Sequence, residues 1–99
     1  NENNIRWERK VIKYGNRRYT PDFYLIDRNE FLEVKGWLKD RDLRKMFLVL
    51  DNNPFIKIRI LEKVLYKNIS NISIDEIPLF NEKYSFANID FQKFIDHWK

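Results

Sequence analysis

Pro21-Asp22-Phe23 and Glu33-Val34-Lys35-Gly36 set two carboxylates and one amine a short distance apart along the chain, with ten residues between the acids. Side chains two apart on a strand share a face. Glu33 and Lys35 therefore point the same way, with Phe31, while Leu32 and Val34 are expected to turn to the other face, into a core. Two adjacent carboxylates suit a hard, oxygen-seeking divalent cation such as Mg²⁺, which keeps several waters and takes one or two carboxylates plus substrate oxygens. Such an ion lowers the pKa of its water and neutralises charge on an attacked phosphate. Lys35 beside it can orient the water or stabilise charge that builds on phosphorus.

The elements that must position these groups are legible in outline. Residues 6–14 and 17–26 read as two strands, joined by a two-residue turn at Gly15-Asn16. Pro21 cannot donate to a ladder, so it belongs at an edge or a bend that aims Asp22 out of the sheet. Asp27-Arg28-Asn29-Glu30 reads as a turn, and a hairpin closed there places Asp22 beside Glu33. Residues 30–35 form the third strand. Asp40 is the expected N-cap of a helix whose apolar stripe is Leu43, Met46, Phe47 and Leu50, stopped by Asn52-Asn53-Pro54. Residues 55–61 alternate as a fourth strand, expected to run parallel to the third across the helical connection. Residues 62–68 read as a short helix or turn, 71–88 as the least regular stretch, and Phe91, Phe94, Ile95 and Trp98 as one face of a C-terminal helix.

Composition narrows the classes. Ninety-nine residues make one domain, 1–99. Cysteine is absent, so neither a disulfide framework nor a thiolate metal site is available, which fits a cytoplasmic protein. No apolar stretch is long enough to span a membrane. A net charge of +4 and a pI near 9.4 favour a polyanionic partner. One histidine, His97, is too few for a histidine-based metal site. Ser70, Ser73 and Ser85 sit in no nucleophile motif, and with only Gly15 and Gly36 there is no phosphate-cradling glycine loop.

Taken with the order strand-strand-strand-helix-strand, Pro21-Asp22-Phe23 and Glu33-Val34-Lys35-Gly36 resemble the PD-(D/E)XK nuclease superfamily over roughly residues 6 to 66. The words around them look like its small phage, transposon-end, homing or very-short-patch-repair-like branches. The resemblance implies a restriction-endonuclease-like α/β core, a central mixed four-stranded sheet flanked by helices, with a C-terminal helix added. It implies an Mg²⁺-dependent DNA endonuclease, with Mn²⁺ able to substitute, that leaves 5′-phosphate and 3′-hydroxyl ends on duplex or branched DNA. Asp22, Glu33 and Lys35 carry over as the catalytic acids and lysine, and Asp22, Glu33 and the Val34 carbonyl as metal ligands. Lys45 carries over as a helix lysine that reaches the site. Members of the family often work as a homodimer or attached to a separate DNA-binding module.

Family members usually place a helix with a further acid before the first strand. Here Glu2 and Glu8 are the only early acids; Glu8 could add a ligand, although a solvated strand position is preferred. The chain opens on Asn1, and its sole methionine is Met46, so it reads as a fragment of a longer protein.

The basic residues fall into two groups. Lys39, Arg41, Arg44 and Lys45 lie at or on the helix face opposite the apolar stripe, where they can touch phosphate or simply be solvated. Arg17 and Arg18, with Lys13, make a basic hairpin tip that can follow a nucleic-acid backbone or protect an edge by charge. Trp7, Trp37 and Trp98 read as core, and Tyr14, Tyr19 and Tyr24 as strand packing residues, Tyr19 nearest the acids. The contrasting function is a non-catalytic nucleic-acid-binding or assembly module on the same fold; retention of both acids and the lysine favours activity.

Overall fold

The computed structural model describes residues 5–66 and 72–83. The expected C-terminal helix, with Trp98 and His97, lies outside the described residues, as does Glu2.

Four strands form a mixed sheet and two more form a separate hairpin. The sheet runs in the order β1 (Trp7–Glu8), β4 (Phe23–Leu25), β5 (Glu30–Lys35), β6 (Ile58–Glu62). β1 and β4 pair antiparallel, β4 and β5 pair antiparallel, and β5 and β6 run parallel, connected by helix α1 (Asp40–Asn52). The hairpin pairs β2 (Ile12–Tyr14) with β3 (Arg17–Tyr19). Each of the two expected long strands is thus broken in two: residues 6–14 into β1 and β2, and residues 17–26 into β3 and β4. The second break falls at Pro21, which has no N–H for a ladder and whose side chain is fully buried. The expected fourth strand starts three residues late, because a turn closed by the Ile56 N–H on Asn53 O at 3.3 Å occupies residues 54 and 55 and leaves Phe55 95% exposed.

Both turns follow local chemistry. Gly15 has φ +63 at the first central position of the β2–β3 loop, the primed-turn geometry that glycine supplies without steric cost. The β4–β5 loop ends on Asn29, φ 52, a residue tolerant of the left-handed region. The Tyr24 hydroxyl donates to Asn29 Oδ1 at 2.7 Å and pins that loop.

One face of the sheet carries Tyr24, Phe31, Ile58 and Ile60, in register across three strands. The buried stripe of α1 (Met46, Phe47, Val49, Leu50) joins them in one core with Ile12, Tyr14 and Tyr19 of the hairpin. Glu33 shares this face. It is 7% exposed, while Leu32 and Val34 on the opposite face are only half-buried. The shared direction of Phe31, Glu33 and Lys35 is as expected, but the packed face is the reverse of the expected one, because α1 crosses on the carboxylate side.

Lys39, not Asp40, is the N-cap. Its N–H donates to the Asp42 carboxylate at 3.0 Å, and Asp40 and Asp42 place negative charge in the first turn, where the helix dipole favours it. At the other end the Asn53 side chain donates to Lys13 O at 2.8 Å and Val49 O at 3.0 Å, fastening the helix to the hairpin.

Beyond β6, a short 3₁₀ turn (Lys63–Leu65), a second (Ile74–Glu76) and helix α2 (Phe80–Lys83) bring some order to the stretch expected to be irregular. Leu79 bridges Arg59, and Ile60 N–H donates to Pro78 O at 3.1 Å. The strand edge of β6 is thereby covered, which blunts edge-to-edge pairing. Phe80, 1% exposed, packs edge-on to Phe47. No helix among the described residues is long and apolar enough to cross a membrane.

Two tryptophans expected in the core are half in water. Trp7 is 52% exposed on the edge strand, edge-on to Phe23, and Trp37 is 59% exposed between β5 and α1. Neither position lies under α1.

Candidate active site

Asp22 sits in the bend between the hairpin sheet and β4, directly after Pro21. β5 lies alongside, and Phe23 pairs with Leu32. That register brings Asp22 next to Glu33, and the two residues are cross-bonded. The Asp22 N–H donates to Glu33 Oε1 at 3.0 Å, and the Val34 N–H donates to Asp22 Oδ2 at 2.9 Å. The Tyr19 hydroxyl adds a second bond to Glu33 Oε1 at 3.0 Å. Burial, then the Glu33 charge, push the Tyr19 phenol well above the usual tyrosine range, so it stays a donor at neutral pH.

Lys35 Nζ lies 3.4 Å from Glu33 Oε2 and 3.8 Å from Asp42 Oδ1. The lysine therefore stands between a strand acid and a helix acid. Asp42 was not among the sequence candidates. Its signal in the sequence is the i, i+3 relation to Lys39 at the helix start, which the neighbouring Asp40 obscures as a competing cap residue.

Lys45, on the second turn of α1, sets its Nζ 4.4 Å from the centre of the Tyr19 ring, a cation–π contact. It reaches the ring that bonds Glu33; no contact with either carboxylate is seen. Tyr14, Arg17, Arg41, Asp42 and Lys45 line a surface pocket of about 370 Å³. A neighbouring pocket of about 230 Å³ is lined by Lys35, Gly36, Trp37, Lys39, Arg41 and Asp42. Arg41 and Asp42 are common to both. A basic trough thus runs from the hairpin past the start of α1 to the end of β5.

The structure separates the two hairpin arginines. Tyr14 pairs with Arg17 and Ile12 with Tyr19, on the side turned to α1, whereas Lys13 pairs with Arg18 on the outer side. Arg17 joins the trough and Arg18 does not. Lys39 lies in the trough with its Nζ 5.2 Å from the Trp37 ring centre. Arg44 is half-buried on α1 and lines neither pocket. Glu8 is exposed on the edge strand opposite Tyr24. Among the described residues no group of three or more His, Cys, Asp or Glu side chains converges as a metal cage, so Glu8 does not join Asp22 and Glu33.

The opposite face of the sheet holds a second charged cluster that sequence reasoning missed. Arg59 Nε and Nη2 donate to Glu30 Oε1 and Oε2 at 2.7 and 3.2 Å, and Arg28 Nε donates to Glu30 Oε1 at 2.9 Å. Arg59 Nη1 also holds Ile74 O at 3.2 Å and Ile77 O at 2.6 Å. Burial would raise the Glu30 carboxyl, but the hydrogen bonds from Arg59 and then Arg28 outweigh it and hold it below the usual range. This cluster ties β5 to β6 and to the turn beyond, so it supports the strand that carries Glu33 and Lys35.

The donor set at Asp22 and Glu33 is hard oxygen throughout. One oxygen of each carboxylate accepts a backbone N–H, the Lys35 ammonium stands 3.4 Å from the other Glu33 oxygen, and the Val34 carbonyl lies on β5 next to Glu33. Such a set fits a cation that keeps much of its water, and does not fit a soft or cage-bound metal.

No family model matches the chain, and no solved structure matches it. Among curated proteins, Endonuclease I of Escherichia phage T7 is 39% identical over 51 residues, 52% of this chain and 34% of that protein. The match thus spans about a third of the relative's length, and the chain, with a mixed four-stranded sheet and its helices, is similar to part of a phage nuclease.

Proposed function

We propose that this chain carries the catalytic centre of a metal-dependent DNA endonuclease with a restriction-endonuclease-like core. One observation carries the proposal: the Asp22 N–H holds the Glu33 carboxylate and the Val34 N–H holds the Asp22 carboxylate, with Lys35 beside Glu33. The likeness to a phage Endonuclease I supports it, as does the basic trough beside the acids.

In this reading Asp22, Glu33 and the Val34 carbonyl hold Mg²⁺, with Mn²⁺ able to substitute. When bound, the ion supplies an activated water and neutralises phosphate charge. The chain's own groups do the rest. Val34 N–H and Asp22 N–H fix the carboxylates before substrate arrives, so no reorganisation is needed at the moment of reaction. Lys35 Nζ, between Glu33 and Asp42, donates toward the attacked phosphate or orients the water. Arg17, Lys39 and Arg41 hold the flanking phosphates, and Lys45 keeps positive charge behind Tyr19. The expected products bear 5′-phosphate and 3′-hydroxyl ends.

The products test this directly. Nicked plasmid with such ends reseals with DNA ligase without prior end repair. Nicks that reseal only after phosphatase and kinase treatment would refute the proposed chemistry.

A further inference from the structure

Glu33 Oε1 is occupied from two sides, by the Tyr19 hydroxyl and by the Asp22 N–H, each at 3.0 Å. An ionised carboxylate has about two acceptor directions per oxygen, so both are filled on this atom. Tyr19 is 4% exposed and Glu33 7%, so water does not compete freely for either bond. The phenol ring is fixed by the core around it and by the Lys45 ammonium over its face. Among the described residues Glu33 Oε2, by contrast, faces only the Lys35 ammonium, 3.4 Å away and shared with Asp42. A phenylalanine would fill the same core space as Tyr19, so packing alone does not account for the hydroxyl.

Resting on the nuclease reading above, we propose that Tyr19 is a positioning residue that restricts Glu33 to one-oxygen ligation and so selects a small octahedral cation over Ca²⁺. Mg²⁺ demands near-ideal octahedral geometry, whereas Ca²⁺ takes six to eight oxygens and reaches the higher numbers by taking carboxylates in two-oxygen as well as one-oxygen mode. Holding Oε1 on Tyr19 and the backbone withdraws it from the cation. The bond also orients Oε2, the kind of support whose removal costs roughly 10–100-fold in metal affinity.

The test is calorimetric titration of the chain with MnCl₂, MgCl₂ and CaCl₂ separately, for the native chain, Tyr19→Phe and Asp22→Asn, with circular dichroism as the folding control. Tyr19→Phe is expected to weaken Mn²⁺ and Mg²⁺ binding by about 10-fold and to weaken Ca²⁺ less, narrowing the preference. Unchanged Mn²⁺ affinity, or equal losses for all three ions, would overturn the selective role of Tyr19 and leave the metal site standing. No binding of any ion by the native chain, or binding that Asp22→Asn leaves unchanged, would overturn the nuclease reading and the clamp together. Infrared difference spectra of the native chain with isotope-labelled glutamate give a readout that no misfolded variant can remove. A widened splitting of the carboxylate stretches on Mg²⁺ addition marks one-oxygen ligation; a narrowed splitting marks two-oxygen ligation and overturns the clamp.

Discussion

Replacing Glu30 with glutamine removes the charge that answers Arg59 while leaving the shape of the side chain. Glu30 is 6% exposed, and the Arg59 side chain 11%. Breaking a buried pair by removing one partner costs roughly 3–5 kcal/mol, because a charge is left buried without its counter-ion. Here Arg59 keeps the Ile74 and Ile77 carbonyls, and the glutamine oxygen still accepts one bond, so the lower end applies: about 3 kcal/mol. With a urea slope of roughly 1.5 kcal/mol/M for a domain of this size, the unfolding midpoint falls by about 2 M. The pH dependence has a defined sign. The folded Glu30 carboxyl lies below its unfolded value, so its contribution is complete above the unfolded pKa, near 4.3, and is lost as the pH falls through the lower folded value. Urea unfolding followed by tryptophan fluorescence, from neutral pH into acid, should show the gap between native chain and Glu30→Gln closing below about pH 4. A gap under about 1 kcal/mol at neutral pH, or one that does not change on acidification, would refute this account of the Glu30–Arg59 pair.

Other outcomes follow from the same structure. Lys35→Ala should slow the chemical step by roughly 10²-fold or more with DNA affinity retained, as read by single-turnover cleavage and gel shift; unchanged turnover would make the lysine structural only. Arg17→Ala and Arg41→Ala should each weaken DNA binding and reduce the slope of log affinity against log salt by about 0.9, whereas Arg18→Ala, on the outer side of the hairpin, should leave the slope intact. Equal effects of all three would dissolve the trough as a defined phosphate path. Gly15→Ala meets nothing within 4 Å but keeps φ at +63, so thermal unfolding should report a loss of about 1–2 kcal/mol from the backbone alone.

The pair of acids and the lysine were legible because their signals are local. Strand alternation put Glu33 and Lys35 on one face, and the position of Pro21 forced the bend that carries Asp22. The parallel β5–β6 crossover followed from a helix between two strand patterns, and the register of Glu33 with Ile60 realises it. What failed depended on long-range packing. Periodicity groups Phe31, Glu33 and Lys35 on one face but cannot say on which side of a sheet a helix crosses, so the core expected under Leu32 and Val34 lies under Phe31 and Glu33. It also cannot separate β3 from β4 into different sheets, since the aromatic and β-branched run continues across Pro21. The Tyr19–Glu33 bond and the Glu30–Arg59 pair join residues 14 and 29 positions apart, and no spacing rule reaches that far. A tryptophan at a helix start commonly packs in the core, but in this chain Trp37 stands in the trough under Lys39.

The most direct test of the central claim is nicking of supercoiled plasmid in Mg²⁺ or Mn²⁺ and in chelator, with Glu33→Ala run beside the native chain. Cutting that requires the metal and vanishes in Glu33→Ala, while DNA binding persists, is the expected result. Cutting that survives in Glu33→Ala, or that proceeds equally in chelator, would contradict it.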